Sequence, residues 1–307
     1  MNATVQDVGP VFRRDGDIWH ALPQAQGPFG GMHGGAVSAL AVGEMEAMGA
    51  AKGLGALVSA NLYLLRPLPL AGISSKVSAV REGGRVAVFE NELWAGGKLQ
   101  AKASACFQQP AAIEGLPGAP EAPCFEPENF AKWERPDFFK LANKEPGFLD
   151  LCDIRDTTHE DGTRAKWFRL KRNFHETPTP FSAVMAVADV STLFTVTDAG
   201  ARPNAAGWPN ADLSLHLSRA PKGAWIGTAQ RGAWHGDGRG LTEAEIFDAY
   251  GRIGRSCQSA VLLPPPACPR LKPRAASRCG RPSGSSWPSS SRAACRTPRH
   301  RPRRPRP

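Results

Sequence analysis

The sequence predicts an α+β protein in which two similar units follow one another, each with one helix lying across antiparallel strands. In the first unit, apolar residues at helical spacing precede a region that alternates as strands around two glycine turns. The same order of elements returns in the second half of the chain. Residues 92–107 are loosely similar in sequence to residues 245–261, and residues 60–67 to residues 211–221. We interpret this as one ancestral unit that was doubled, with chance similarity of two hairpins as the alternative.

The first unit is expected to begin with one or two short strands in residues 8–22, with Asp15-Gly16 as the turn. Phe29–Met48 is predicted to be a glycine-rich turn that enters a helix. A buried strand within residues 56–72 should end at Arg66-Pro67, because proline cannot continue a central strand. Residues 74–108 are predicted to supply the remaining antiparallel strands.

The second unit follows residues 110–145, a stretch rich in Pro, Glu and Ala that is predicted to be a linker with little internal structure. A strand is expected at residues 165–173 and a helix at 178–194, with Pro180 near its first turn. Later strands are predicted at 212–217, at 223–234 and as a final pair within 242–263. The predicted domains are therefore an N-terminal unit (1–109), the linker (110–145), a C-terminal unit (146–263) and a tail (264–307).

The tail, residues 264–307, holds Lys272 and eleven arginines but no acidic residue. It has almost no aliphatic residues with which to form a core, so it is predicted to be disordered. Because 12 of the 38 basic residues lie in the tail, the body carries 26 basic and 28 acidic side chains. We therefore expect no nucleic-acid binding by the body, and only the tail has the charge for nucleic acid or anionic lipid.

Composition and motifs argue against several kinds of site. The body cysteines Cys106, Cys124, Cys152 and Cys257 show no C-x-x-C pairing, so neither a metal site nor a disulfide framework is indicated and a cytoplasmic location is expected. No run of about 18 apolar residues occurs, so no membrane span is predicted. The motifs of nucleotide hydrolases, dinucleotide oxidoreductases, serine hydrolases and zinc proteases are absent as well, and we expect no cofactor and no metal.

The glycine-rich turn is the first candidate site. Gly34 and Gly35 open the predicted helix, so a ligand can approach its first backbone N–H groups closely. These groups and the helix dipole favour partial negative charge, such as a carbonyl oxygen that becomes an oxyanion. The alternative is an ordinary flexible loop before a core helix. His33 in this turn is interpreted as a structural hydrogen bonder, and Glu44 as an acid on the apolar stripe of the helix.

Asp189 is the strongest candidate for a catalytic group. Its helical neighbours Met185, Ala186 and Leu193 are apolar, and a carboxylate on an apolar face has to be paired or used. From such a position it could act as general base on water. The alternative is that Asp189 points outward or caps a local N–H group.

Several separated stretches, in the right order, resemble the acyl-CoA thioesterase II-like family of double hotdog proteins. They are FGGMHGGAV, LLRP and VREGGRVAVFENELWAGGKLQAKASACFQ in the first half, and MAVADVSTLF, WPNADLSLHL and RIGRSCQSAVLL in the second. The resemblance covers about residues 10–263 and implies two hotdog units, each a long helix wrapped by a curved antiparallel sheet. It also implies hydrolysis of acyl-CoA thioesters without metal or covalent intermediate, and we expect the chains to form homo-oligomers.

The resemblance implies catalytic residues too. In the family, an Asp on the second helix, a Thr or Ser at the next strand and a Gln on the last strand hold the attacking water. These positions correspond to Asp189, Asn210 and Gln258 in this sequence. Asn210 departs from the pattern because it lacks the hydroxyl, although its amide can still donate to or accept from water. Val42 stands where some hotdog thioesterases carry an acid, so the first half is expected to be non-catalytic.

The expected substrate contacts are Gly34 and Gly35 for the thioester oxygen and Arg66 for a phosphate of coenzyme A. The N–H groups near Ser182 in the second helix are the alternative donors to the thioester oxygen. The first hypothesis is a cytoplasmic acyl-CoA thioesterase of fatty acid metabolism, with Asp189 as base or water holder. The second, motivated by Asn210, is a catalytically weak acyl-CoA binding protein on the same fold. A more distant third is a hotdog enoyl-CoA hydratase, for which the sequence lacks an Asp and His pair on one loop.

Overall fold

The fold contains far more strand than helix. The computed structural model describes residues 9–135, 147–159, 162–198 and 206–264, in which thirteen strands form one antiparallel sheet. In chain order these strands are β1 (Phe12–Asp15), β2 (Ile18–Ala21), β3 (Ala56–Leu64), β4 (Ile73–Glu82), β5 (Val86–Ala95), β6 (Lys98–Gln108), β7 (Ala131–Lys132), β8 (Cys152–Thr158), β9 (Arg164–Leu170), β10 (Asp212–Leu217), β11 (Trp225–Trp234), β12 (Arg239–Asp248) and β13 (Gly251–Val261). The predicted disordered tail, beyond Pro264, lies outside the described residues.

The order of strands across the sheet is β1-β2-β4-β5-β6-β3-β10-β13-β12-β11-β9-β8-β7. The strands that precede residue 109 therefore form one half of the sheet, and the later strands form the other. The halves join where β3 and β10 pair antiparallel, with Asn61 opposite Ser214. The Ser214 hydroxyl donates to Asn61 Oδ1 at 2.7 Å, so a polar side-chain contact reinforces the backbone pairing at this joint.

In the described ranges, three α-helices lie against the sheet: α1 (Gly34–Ala51), α2 (Pro180–Ala188) and α3 (Ser191–Asp198). The apolar stripe predicted from the sequence is buried, since Val37, Leu40, Ala41 and Met45 of α1 are at most 2% exposed. Helix α1 packs against β5 and β6 and against α2, while α3 packs against β11 and β12. None of the helices in the described ranges has the length and apolar character needed to cross a membrane.

The helix predicted for residues 178–194 is in fact two helices. The Asp189 N–H still bonds the Met185 carbonyl, but the next N–H, of Val190, bonds the Val187 carbonyl at 3.0 Å, so the last turn tightens and α2 ends. Helix α3 starts at Ser191. Asp189 is therefore the C-terminal cap of α2 rather than a mid-helix residue.

The predicted linker has more structure than its composition indicates. Its described part contains a short 3-10 turn at Pro127–Asn129 and strand β7. Phe125 and Phe130 pack on Trp167, and the Trp225 indole N–H donates to a Glu128 carboxylate oxygen at 2.7 Å. Because alternate residues of a strand face opposite sides of a sheet, this aromatic cluster covers the face turned away from the helices. Residues 136–145 of the linker lie outside the described ranges.

Close packing fixes α1 through one of its glycines. A β-carbon added to Gly43 would lie only 2.3 Å from Nε2 of His175. This ring nitrogen is 3.0 Å from the Ala39 carbonyl oxygen, and the ring contacts Phe12 and Trp19 with centroids 5.5 Å away. The imidazole is thus held on several sides and has little room to move.

Gly43→Ala is expected to destabilise the protein by about 1–3 kcal/mol, the usual cost of overpacking a core. Replacing glycine by alanine inside a helix normally stabilises a protein by about 1 kcal/mol. The sign of the change in unfolding free energy therefore tests the packing. Equilibrium unfolding in urea measures the change. A variant as stable as the wild type, or more stable, would contradict the tight contact with His175.

Candidate active site

The three residues expected to hold water lie in direct contact. Asn210 Nδ2 donates to Asp189 Oδ1 and to Gln258 Oε1, each at 2.8 Å, and approaches the Asp189 backbone carbonyl at 3.1 Å. The Gln258 amide in turn donates to the Ala188 carbonyl at 2.8 Å. The side chains of Asp189 and Gln258 are 5% and 1% exposed, so each is a buried polar group with its hydrogen bonds satisfied.

Different elements position these side chains. Asp189 caps the end of α2, and Gln258 lies on the helix-facing side of β13. Asn210 lies two residues before β10, at an isolated bridge to Ala260. Residues far apart in sequence meet here because β10 and β13 are neighbours beneath the helices. The sequence motifs identified these three residues as candidates, but their mutual contact depends on the order of strands in the sheet.

A hydroxyl that the sequence analysis did not consider completes this group. Thr192 Oγ1 donates to Asn210 Oδ1 at 2.7 Å and fixes which way the amide points. Thr192 is three residues after Asp189, across the short turn that separates α2 from α3. The family pattern has a hydroxyl at the position of Asn210, and here a hydroxyl reaches the site from the helix instead.

The start of α1 lies very close to Asp189. The sequence had predicted that the glycine pair would allow such a close approach by a ligand. A β-carbon on Gly34 would lie 2.6 Å from Asp189 Oδ1, and one on Gly35 would lie 2.4 Å from the Ala186 carbonyl oxygen. Only glycine therefore allows the N-terminus of α1 to meet the C-terminus of α2. Among the described residues, no partner is found for the backbone N–H groups of Gly34 and Ala36.

His33 is both a structural residue, as interpreted from the sequence, and a neighbour of the acid. Its Nδ1 accepts from the Gly35 N–H at 3.0 Å and lies 3.1 Å from Asp189 Oδ2. The ring stacks on Phe148 at 4.3 Å between centroids. One ring nitrogen cannot accept from Gly35 and donate to Asp189 at the same time. The contact of Nδ1 with Asp189 therefore competes with its bond to the Gly35 N–H.

Arg66 bonds a backbone carbonyl rather than another side chain. Its Nη1 donates to the Leu99 backbone carbonyl at 2.6 Å, on the exposed surface. The role of Arg66 toward a phosphate of coenzyme A stays a prediction. Within the described ranges, no cluster of three or more His, Cys, Asp and Glu side chains is arranged to hold a metal ion.

The first half contributes a different acid from the one considered in the sequence. Glu44 accepts from the Trp19 indole N–H at 3.3 Å, and burial raises its pKa. Two residues later, Glu46 accepts from the backbone N–H groups of Phe181 and Ser182, both at 2.9 Å, and so caps the N-terminus of α2. Burial raises the pKa of Glu46 to about 7, although those two N–H groups act in the opposite direction.

Glu46→Gln is expected to change how stability depends on pH. Between pH 4.5 and about 7 the folded protein keeps a proton on Glu46 that the unfolded chain has lost, so ionisation destabilises the fold as pH rises. The wild type should lose stability relative to the variant across this window, by at most about 3 kcal/mol, because one pKa unit corresponds to about 1.4 kcal/mol. Urea unfolding at several pH values measures this, with Glu114→Gln on the exposed linker as control. Equal slopes for wild type and Glu46→Gln would contradict the shifted pKa.

Solved structures show the class of fold to which this architecture belongs. A hot dog fold protein of unknown function from Alicyclobacillus acidocaldarius matches with a TM-score of 0.63 and 15% identity, covering 83% of this chain and 96% of that one. The acyl-CoA thioesterase II TesB2 from Mycobacterium marinum matches with a TM-score of 0.58 and 16% identity, over 83% and 96% of the two chains. The tesB protein of Mycobacterium avium subsp. paratuberculosis gives 0.58 and 17%, over 85% and 98%. The chain therefore has a hotdog fold.

Models of protein families identify the chain more closely. Residues 22–108 match the acyl-CoA thioesterase N-terminal domain, and residues 119–262 match the acyl-CoA thioesterase C-terminal domain. The chain therefore belongs to the acyl-CoA thioesterase family, as the resemblance in the sequence predicted. A comparison with curated protein sequences gives no match.

Proposed function

We propose that the protein hydrolyses acyl-CoA thioesters to a free acid and coenzyme A, with Asp189 as the general base. The observation that supports this most directly is the contact between the buried Asp189 carboxylate, the Asn210 amide and the start of α1. An acid, an amide and unpaired backbone N–H groups at one point are the groups that water attack on a carbonyl requires.

In the proposed reaction, a water molecule beside Asp189 attacks the thioester carbonyl carbon while the carboxylate takes a proton from it. The backbone N–H groups of Gly34 and Ala36 donate to the oxygen that gains negative charge. The carbon–sulfur bond then breaks, and the proton on Asp189 passes to the departing thiolate. Asn210 and Gln258 orient the carboxylate and the water through their amide groups.

His33 links the acid to the oxyanion donors in this proposal. When its Nδ1 carries a proton and donates to Asp189, the Gly35 N–H no longer bonds the ring and becomes a further donor for the thioester oxygen. Each such donor is typically worth about 3 kcal/mol in the transition state.

The two halves also support a double hotdog architecture, in which each half is a helix covered by its own part of the sheet. In this interpretation the first half has no catalytic site, because its acid Glu46 is used to cap α2. Cytoplasmic location, a role in fatty acid metabolism and association into homo-oligomers belong to the same proposal and rest on the resemblance alone.

The proposal is tested by release of thiol from short, medium and long acyl-CoAs by the purified protein. A thiol reagent also reacts with the protein, because Cys124 and Cys257 are exposed, so a blank without substrate is needed. Release of coenzyme A with a defined kcat/KM on at least one chain length is the expected result. Loss of absorbance from an enoyl-CoA in the same panel would instead favour the hydratase.

An acyl-CoA binding protein without turnover is the second candidate. One observation favours it: Asn210 contacts Asp189 and Gln258 directly, where the family pattern has a hydroxyl and a water. In that case a non-hydrolysable acyl-CoA thioether would bind, while no thioester in the panel would be cleaved.

A further inference from the structure

The layer between α3 and the second half of the sheet is rich in hydroxyl groups. The side chains buried there include Ser191, Thr192, Thr195, Thr228, Thr242 and Ser256, all at most 6% exposed. The corresponding layer of the first half is mostly apolar, with Phe89, Ala105 and Phe107 buried on the strands. The fold itself therefore does not require hydroxyls at this level, and their presence in the half that carries Asp189 needs another reason.

Within the described part of the chain, two of these hydroxyls lack a hydrogen bond. Most of the buried hydroxyls bond a neighbour: Thr195 Oγ1 donates to the Thr192 carbonyl at 2.9 Å and lies 3.4 Å from Thr242 Oγ1. Ser191 and Ser256 are 1% and 4% exposed, and neither Oγ has a hydrogen-bond partner among the residues that the structure describes. Burying a hydroxyl without a hydrogen bond is costly, so two such atoms in the half that carries the candidate site point to a ligand that completes them.

The fold places both serines in the layer of the candidate site. Ser191 is two residues after Asp189 and one helical turn before Thr195, which contacts Thr242 on β12. Thr242 pairs with Gln258 on β13, and Ser256 is two residues from Gln258 on the same side of that strand. Ser191 therefore approaches from the helix and Ser256 from the sheet, on either side of the layer that begins at Asp189 and Gln258.

We propose that Ser191 and Ser256 bind an oxygen substituent on the acyl group, so that the preferred substrates are hydroxylated acyl-CoAs rather than plain fatty acyl-CoAs. This inference rests on the proposed function, because it assigns a substrate class to the same site. Strand residues advance by about 3.3 Å, so Ser256 lies about 7 Å along β13 from Gln258. The oxygen should therefore lie a few carbon atoms beyond the thioester, and a plain chain would leave both hydroxyls unpaired.

The test compares hexanoyl-CoA with 3-hydroxyhexanoyl-CoA and 5-hydroxyhexanoyl-CoA in the wild type, Ser191→Ala and Ser256→Ala. Ser259→Ala is the matched control, because this exposed serine lies on the same strand and bonds Asp212 at 3.2 Å. The wild type should prefer one hydroxylated substrate in kcat/KM. Each site variant should lose about five- to tenfold of that preference, as expected for one hydrogen bond, and the control should keep it.

Equilibrium binding of the matching S-alkyl coenzyme A thioethers, with and without the hydroxyl, gives a readout that needs no turnover. Preference for the hydroxylated thioether without any hydrolysis would support this inference and overturn the proposed function. Turnover of all three substrates with equal kcat/KM would support the proposed function and overturn this inference. A preference that survives in both site variants would also overturn it.

Stability separates the proposed role from a structural one. If the Ser256 hydroxyl has no partner in the free protein, Ser256→Ala should keep or raise the urea midpoint while it loses the preference. A lowered midpoint would show that the hydroxyl is already bonded, for example to a buried water, and would overturn the assignment.

Discussion

Asp189→Asn is expected to lower kcat for acyl-CoA hydrolysis by about a hundredfold or more, the usual contribution of a general base. In the wild type, the Asn210 amide donates to the Asp189 carboxylate at 2.8 Å. The exchange preserves the size of the side chain and leaves an oxygen that can still accept this hydrogen bond. The carboxamide cannot take the proton of the attacking water, so the loss should appear in kcat rather than in KM. Steady-state kinetics on the best acyl-CoA of the panel measures both parameters.

Asp237→Asn is the matched control for this variant. Asp237 lies in the turn before β12 and pairs with Arg239 at the surface, far in the sequence from the helix ends. It should keep wild-type kinetics. Hydrolysis by Asp189→Asn at the wild-type rate, with an unchanged urea midpoint, would remove Asp189 from the mechanism and leave the family assignment intact.

Gly34→Ala should abolish most of the activity while the protein still folds. The new methyl group would lie 2.6 Å from Asp189 Oδ1 and 2.8 Å from Oδ2, closer than such atoms can approach. The carboxylate must therefore move away from Asn210, and a misplacement of about 1 Å at a reacting group can cost about a hundredfold in rate. The expected result is a loss in kcat/KM at least as large as for Asp189→Asn.

The control for Gly34→Ala is Gly84→Ala, in the turn between β4 and β5, where an added β-carbon meets no atom within 4 Å. That variant should hydrolyse acyl-CoA normally. The double variant Gly34→Ala with Asp189→Asn gives a further check. If the glycine acts only by placing the acid, the two losses will not add, whereas additive losses would show an independent role at the oxyanion.

Local signals explain why much of the fold could be predicted. Glycine turns and prolines mark the ends of helices and strands to within a few residues. The two glycine turns in residues 74–108 therefore divide this region correctly into β4, β5 and β6. Strand β8 was missed because its sequence, CDIRDTT, shows little apolar alternation. The end of α2 at Asp189 was missed for another reason, since nothing in the local sequence marks a break there.

The candidate site was predicted less completely than the fold. Asp189, Asn210 and Gln258 came from motifs, and the structure brings them together. The contact of His33 with Asp189 and the cap formed by Glu46 join residues more than a hundred positions apart, which no helical or strand period reveals. Thr192 could have been found, because it lies only three residues after Asp189 in the sequence.

The joint between the two halves has a consequence for biosynthesis. The glycines of α1 leave the ribosome early, but their partner Asp189 follows much later and Gln258 lies on the last strand. Long-range pairings of this kind form slowly, and domains fold as their residues are made. A nascent chain can therefore complete its first half and still lack the assembled candidate site until β13 emerges and inserts between β10 and β12.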